Sequence, residues 1–456
     1  MVVSVLRGGL RVHIVGVGGA GMSGLARLLV EMGVVVSGSD VVDSVVLDEL
    51  RNAGVLVTLG HDASNVASVD VVLWSPAIGP DNVELVSARR NGATFLSRAE
   101  VLSELSETRR VIGLTGTHGK TTATSMMVHV LRAASRDDAR LVGADVLGVG
   151  ANGHWGSDDL ILEVDESYGT FSLLRPYALG LLNVEADHLD HYGTLRALEE
   201  AFAQLVTRTR GPVVVWSDDA GAQRVATLSG RHVARVGTTP EATWTVSRVS
   251  LARHTASFML RGPDESFDIA LAVTGAHNVA NAAVVATLAR ALDVPVLDVV
   301  TGLANFQGAP RRFQLLGQWE GRDVYEDYAH LPGEIAATIV ATRAAGYDAP
   351  AVVFQPHRFT RTLALASDFA SAFDGADSVI VTDVYAAGES NPTGVTGEVV
   401  AKSIAERIGG PRVEYCASLR DVPAALAKVA TTSDVVLLLG AGDVASVATS
   451  LPGGLH

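Results

Sequence analysis

The chain has 456 residues, too many for one hydrophobic core, so two to four domains are expected. Its apolar fraction of 48% against 19% charged residues excludes a disordered polymer. Thirty-five basic against 50 acidic residues, a formal charge of −15 with no basic run, exclude nucleic acid or an anionic membrane as the main partner. The lone cysteine, Cys416, excludes an internal disulfide and suits a reducing cytosol. No apolar stretch resembles a signal peptide or reaches the ~18 residues of a membrane span, so a cytoplasmic protein is expected.

In chain order, a strand is predicted at Val12-His-Ile-Val15, then a turn Gly16-Val-Gly-Gly-Ala-Gly21 and a helix from Met22 to Met32. A second strand at 34–37 ends near Asp40, and a third at 69–74 stops at Ser75-Pro76-Ala77-Ile78. Apolar runs alternating with helical ones indicate a parallel α/β sheet. A polar stretch at 103–110 is read as the separator from the next unit. That unit opens with the strand at 111–114, the loop Thr115-Gly-Thr-His-Gly-Lys-Thr-Thr122 and a helix from Thr121 to Ala134. Further strands are expected at 160–164, 178–182 and 212–216, an antiparallel flap within 231–273, and a closing helix over 277–292. The Gly/Pro-bearing link at 307–310 leads to a third alternating segment with strands at 351–354, 379–382 and 435–439. The domains are expected at 1–108, 109–309 and 310–456.

Only three of the basic residues are lysines, and one of them, Lys120, ends the glycine-rich loop. There a compact ammonium reaches between nucleotide phosphates, and the hydroxyl of Thr121 is the type that holds magnesium. The spacing departs from the usual phosphate loop, since Leu114 stands where its first glycine is expected. Gly16, Gly18 and Gly21 with Asp40 fit a dinucleotide fingerprint, which alone suggests a nicotinamide-dependent dehydrogenase. The same glycines accept any pyrophosphate at a helix N-terminus, that of UDP included. Glu163 and His188 lie in polar strings at two strand ends, and such groups facing a phosphate loop suit magnesium bound to ATP. His277 or Asn278 begins the closing helix, where either suits a cap. Arg358 and Arg361, three apart, can hold the carboxylate of a free amino acid.

The loop at 115–121, the string Gly16-Val-Gly-Gly-Ala-Gly-Met-Ser-Gly24 and the strings around Glu163, His188, Asn278 and Arg312 together resemble the Mur ligases, which build the peptide stem of bacterial peptidoglycan. The resemblance spans almost the whole chain and implies three domains: a Rossmann-like N-terminal domain, a central P-loop ATPase domain and a Rossmann-like C-terminal domain. It implies ATP held by Thr115, Gly116, Thr117, His118, Gly119, Lys120, Thr121 and Thr122, with Asn278 and Asn281 on adenine. Arg312 would meet the phosphates and Asp327 the ribose. It places magnesium with Thr121, Glu163 and His188, and makes Lys120, Glu163 and His188 catalytic. The UDP-sugar would lie against Gly16, Gly18, Gly19, Ala20, Gly21, Met22, Asp40, Ser75, Pro76, Ala77 and Ile78. The string Phe354-Gln-Pro-His-Arg-Phe-Thr-Arg361 resembles the family branch whose substrates are UDP-N-acetylmuramate and L-alanine. Tyr328, His330, His357, Arg358 and Arg361 would then line the amino-acid pocket. No lysine lies between Lys120 and Lys402, which rules out the carbamylated lysine of relatives that add later amino acids. Tyr168, Leu331 and Gly333 depart from the residues usual in the family. A paralogue attaching a recycled peptide and the dehydrogenase remain the alternatives.

Overall fold

The computed structural model describes residues 9–75 and 78–456, so Pro76 and Ala77 lie outside the described residues. Three sheets follow one another along the chain. The first holds β1 (Arg11–Val15), β2 (Val35–Asp40), β3 (Leu56–Leu59), β4 (Val71–Trp74) and β5 (Thr94–Leu96), all parallel, in the order β3-β2-β1-β4-β5. The order reverses at β1, and the crevice outside the carboxyl end of such a strand is where ligands gather.

The middle sheet holds β6 (Val111–Thr115), β7 (Ala139–Leu141), β8 (Gly153–His154), β9 (Leu160–Val164), β10 (Ala178–Leu181), β11 (Val213–Trp216), β12 (Ala234–Gly237), β13 (Trp244–Leu251), β14 (Ala256–Arg261) and β15 (Ser266–Leu271). Its order is β15-β14-β13-β12-β11-β10-β6-β9-β7-β8, which puts the loop after β6 between the ends of β9 and β10. The expected flap is only partly antiparallel. Strands β12 and β13 extend the main sheet in parallel, and the β14–β15 hairpin is antiparallel.

The third sheet holds β16 (Gln314–Trp319), β17 (Arg322–Asp327), β18 (Pro350–Phe354), β19 (Ser378–Val381), β20 (Arg412–Tyr415) and β21 (Val435–Leu439), in the order β16-β17-β21-β18-β19-β20. Only the β16–β17 hairpin is antiparallel. Strands β18, β19 and β21 are buried along their whole length, as strands covered on both faces must be.

The three sheets form two compact units. The first comprises Met1–Ser250, Ala256–Ala272 and His277–Gln307; the second comprises Leu251–Thr255, Val273–Ala276 and Gly308–His456. The polar stretch at 103–110 lies within the first of these units. It is the end of the helix Arg98–Thr108, which buries Val101, Leu102 and Leu105, with the capping box Ser97–Glu100 at its start. The first two sheets are joined through the helix Ala20–Glu31, where a Cβ at Gly153 would run into the carbonyl of Gly24. Beside that contact the buried Arg27 donates to Asn152 Oδ1 at 2.7 Å, Glu49 at 2.6 Å and Asp145 at 3.0 Å. No helix among the described residues is long and apolar enough to cross a membrane.

A buried carboxylate fixes the end of β2. Glu84, with no exposed surface, accepts from Ser39 Oγ at 2.6 Å and Asn65 Nδ2 at 2.6 Å, and lies 2.9 Å from His61 Nδ1. Burial alone would raise its pKa, but the His13 imidazole, the Ser39 hydroxyl and the Asn65 amide outweigh burial and hold it at about 2. A carboxylate with a depressed pKa stabilises the fold fully above the ordinary glutamate value, and that contribution is lost as pH falls toward about 2. Glu84→Gln is expected to weaken β2 by about 3–4 kcal/mol at pH 7, because each tenfold change in proton affinity is worth about 1.4 kcal/mol. Amide exchange of residues 36–40 reads this directly. The variant should also lose the wild-type decline in protection below about pH 4.5.

Candidate active site

Four segments of the first unit meet around the loop after β6. Gly116 has φ 143°, and a Cβ there would press on the Asn183 backbone at 2.9 Å. Gly119 has φ 81° and opens the helix Lys120–Ala133, with the Asn281 amide 2.8 Å from where its Cβ would stand. The loop is strapped by Asn183, which accepts from His118 N at 2.7 Å and Thr117 Oγ1 at 2.9 Å. Thr115 is buried and donates to the carbonyl of Val164 at 2.8 Å, tying β6 to β9. A glycine-lined loop ending at a helix N-terminus is an anion cradle, since its amides and the helix dipole both favour negative charge.

Oxygen donors flank this cradle on two sides. Thr121 Oγ1 donates to Glu163 Oε1 at 3.1 Å, and Glu163 Oε2 accepts from Gly143 N at 2.6 Å. His188, with φ 50°, instead faces Glu166 and Asp187, its Nε2 3.9 Å from one carboxylate and 3.7 Å from the other. One ligand atom from each of Glu166, Asp187 and His188 lies within 4.8 Å of the others. The hydroxyl–carboxylate pair at Thr121 and Glu163 and this second cluster are donor sets that fit magnesium beside a polyphosphate. Glu163 and His188, expected from the sequence to act as a pair, thus belong to two separate groups. Lys120 contacts the buried Glu166 through both carboxylate oxygens at 2.9 Å. Burial drives the Glu166 pKa up, and the Lys120 ammonium opposes that rise. Asn278 and Asn281 are buried on the helix Ala276–Ala291.

The glycine turn after β1 lies in the same unit. Gly16 has φ 78°, and a Cβ there would stand 3.1 Å from Ser75 Cβ and 3.3 Å from Ile78. Gly19 precedes the helix Ala20–Glu31, which begins with Ala20, Gly21 and Met22. Asp40 turns back to this loop and accepts from Gly18 N at 2.9 Å and from Val41 N at 2.8 Å. Arg98, which carries no motif in the sequence, lays its guanidinium against Gly21 and comes within 4.0 Å of Asp165. Asp165 is itself 3.8 Å from Lys120. A chain of charge therefore runs from the glycine turn to the phosphate loop.

In the second unit, Asp327 ends β17 and accepts from Phe313 N at 2.7 Å and Ala329 N at 2.8 Å. Burial raises its pKa. The guanidiniums of Arg311 and Arg312 lie 4.8 Å and 5.3 Å from the ring of Tyr328. Arg311 pairs with Glu326 at 2.9 Å, whereas Arg312 makes no ion pair among the described residues. Rings continue from Tyr328 to His330 (5.3 Å), His357 (5.8 Å) and the stacked Tyr385 (5.7 Å). Arg361 donates toward His357 Nδ1 at 3.3 Å, and Arg358 opens the helix Phe359–Ala364. Burial, then the neighbouring His330, Arg361 and Arg358, pull the His357 pKa down to about 4. Two guanidiniums beside a neutral imidazole, neither of them ion-paired to an acid among the described residues, are complementary to a small carboxylate. Tyr385 has no role assigned from the sequence and enters the site through its stacking on His357.

Residues 11–110 match the profile described as Mur ligase family, catalytic domain; residues 114–289 match the Mur ligase middle domain; residues 311–442 match the Mur ligase, glutamate ligase domain. The chain is 41% identical over 446 residues to a UDP-N-acetylmuramate–L-alanine ligase of Sorangium cellulosum, covering 96% of this chain and 95% of that protein. It is 41% identical over 449 residues to the enzyme of the same name from Thermobifida fusca, covering 95% and 94%. Among solved structures, the UDP-N-acetylmuramate–alanine ligase MurC of Thermotoga maritima superposes with a TM-score of 0.82 at 29% identity, covering 96% of this chain and 97% of that one. The phosphate loop, the glycine turn and the three successive α/β sheets are thus those of an ATP-dependent amide-forming ligase. The chain belongs to the Mur ligase family.

Proposed function

We propose that this chain joins L-alanine to the lactyl carboxylate of UDP-N-acetylmuramate at the expense of ATP, a step of peptidoglycan precursor synthesis in the cytoplasm. The observation that carries this reading is the single unit in which a glycine turn suited to one diphosphate is linked, through Arg98 and Asp165, to the phosphate loop of a second. A dehydrogenase has no use for that second site.

A carboxylate is unreactive toward amines, so it must first gain a leaving group. In this reading its oxygen attacks the γ-phosphorus of ATP and ADP departs, leaving an acyl phosphate. The alanine amine attacks that carbonyl, loses a proton, and phosphate leaves. The protein's work is alignment and charge stabilisation. Lys120 and the amides of the loop at 116–119 would hold the phosphates, while Asn278 and Asn281 would take the adenine. Thr121 and Glu163, and beside them Glu166, Asp187 and His188, would hold magnesium, which neutralises charge on the transferring phosphoryl group when bound. Gly16, Gly18, Gly19, Ala20, Gly21 and Met22 would receive the UDP-sugar. In the second unit Arg312 and Asp327 are the groups for ATP. Tyr328, His330, His357, Arg358 and Arg361 are those for alanine. Domains at 1–108, 109–309 and 310–456 belong to the same reading.

Phosphate release with ATP, magnesium and UDP-N-acetylmuramate should depend on added L-alanine. A chain that turns over only with a peptide acceptor is the peptide-attaching paralogue instead. Calorimetric titration of the full chain should show binding of UDP-N-acetylmuramate and none of NADH or NADPH. Tight nicotinamide binding without a response to the UDP-sugar would overturn the assignment of the Gly16–Gly21 turn.

A further inference from the structure

The Lys120 ammonium is fully engaged by acceptors of the protein itself. It donates to the carbonyl of Gly116 at 2.9 Å, that of Thr117 at 3.2 Å, and both oxygens of Glu166 at 2.9 Å. An ammonium has three N–H groups, so these acceptors use them all. Nucleotide binding at this loop must therefore displace a partner, and the loop carbonyls are fixed by the backbone. Glu166 is the partner that can move.

The rest of its surroundings show where it goes. The Glu166 main chain is pinned, because its carbonyl accepts from Tyr192 Oη at 2.6 Å, but among the described residues its carboxylate accepts from no side chain other than Lys120. His188 Nε2 stands 3.9 Å away with Asp187 beside it, and the three groups converge within 4.8 Å. Asp165, 3.8 Å from the ammonium, is already occupied by the Ser167 hydroxyl and faces Arg98. A polyphosphate arriving at Lys120 would leave Glu166 buried, charged and beside further negative charge, a costly arrangement unless a cation compensates. Histidine and two carboxylates at this spacing are donors for such a cation.

We propose that Glu166 stands in for the nucleotide phosphate on Lys120, and that nucleotide binding transfers its carboxylate to a divalent cation held with Asp187 and His188. The inference rests on the ATP-site reading above. It makes one buried side chain the coupling between nucleotide and cation: each ligand removes the obstacle to the other, so each raises the other's affinity by the same factor.

The opposite role, Glu166 as a strut that keeps Lys120 in its working position, predicts the opposite sign. Titrating ATP into the full-length chain in EDTA should show Glu166→Gln binding tighter than wild type by on the order of tenfold, the scale of one charge-assisted hydrogen bond no longer competing. With ATP saturating, Mn²⁺ binding followed by electron paramagnetic resonance should be weaker in the variant by a similar factor. Glu166→Asp, which keeps the charge on a shorter arm, guards against misfolding of the amide variant and should shift metal-free ATP binding in the same direction by less. Metal-free ATP affinity that is unchanged or reduced in both variants overturns the transfer and leaves the ATP site standing. A wild-type chain that binds no ATP under any condition removes the site itself.

Discussion

Lys120→Ala is expected to lower turnover by at least about 100-fold at saturating ATP, the scale of losing one charge stabiliser at a transition state. The structure adds a complication that the sequence hid. Lys120 is the counter-ion of Glu166, whose side chain has no exposed surface while that of the lysine is 13% exposed. Removing the lysine strands a buried carboxylate, and breaking such a pair typically costs about 3–5 kcal/mol unless the acid takes up a proton. The single variant should therefore melt earlier as well as turn over slowly. Lys120→Ala combined with Glu166→Gln removes both charges, so it should recover most of the melting temperature and none of the rate. Glu166→Gln alone serves as the control for the amide. It keeps the lysine, so at saturating magnesium it should turn over faster than the double variant while showing the raised metal requirement of a lost ligand. A double variant that is stable and retains more than a tenth of wild-type activity would remove Lys120 from the chemistry.

What was legible in the sequence was whatever the sheet buries on both faces. Strands β6, β18 and β21 read as apolar runs because both of their faces are buried, β9 breaks its run only at the half-buried Glu163, and all four emerge within a residue of expectation. Strands β3, β5 and β20 were missed for the converse reason: they are short edges with largely half-exposed or exposed side chains. The β16–β17 hairpin was missed because its first strand, Gln314–Trp319, alternates too weakly to signal. Behind the polar run at 103–110 lies the end of a helix whose apolar residues, Val101, Leu102 and Leu105, recur at helical spacing on one buried face. Glycine-rich loops were legible, since φ of 143° at Gly116 and 81° at Gly119 leaves little choice of residue. Partnerships were not. Nothing in the spacing of Glu163, Glu166 and His188 tells that Glu163 lies with Thr121 while Glu166 lies between Lys120 and His188. That depends on which way each side chain leaves its strand end, and on His188 adopting φ 50°. Arg98 was invisible because it belongs to a helix remote in sequence from both glycine loops it connects.

Arg361→Ala should raise the KM for L-alanine by roughly one to two decades, from the ~1.5–3 kcal/mol of a charge-assisted hydrogen bond. The KM values for ATP and for the UDP-sugar should hardly move. The reason lies in what the pocket lacks. Among the described residues neither Arg358 nor Arg361 has a carboxylate within ion-pair distance, although burial lowers the pKa of Arg361 and so makes its charge costly to maintain. The nearby Glu389 is already engaged, capping the next helix through Thr360 N at 3.1 Å and Thr360 Oγ1 at 2.8 Å. An amino-acid carboxylate would supply the missing negative charge. His357 supplies a second, independent readout. Its pKa is held at about 4 by burial first and then by His330, Arg361 and Arg358. Deleting one of those cations should let it rise toward the ordinary imidazole value, because a like charge disfavours the protonated ring. Wild-type alanine binding should therefore be insensitive to His357 across pH 6–8, while the variant gains a titration visible in the imidazole resonance. Arg361→Lys keeps the charge, so it should hold the His357 pKa down while recovering only part of the alanine affinity, since an ammonium cannot reproduce the planar fork. Equal losses for all three substrates, or an unmoved His357 resonance in Arg361→Ala, would place the alanine carboxylate elsewhere.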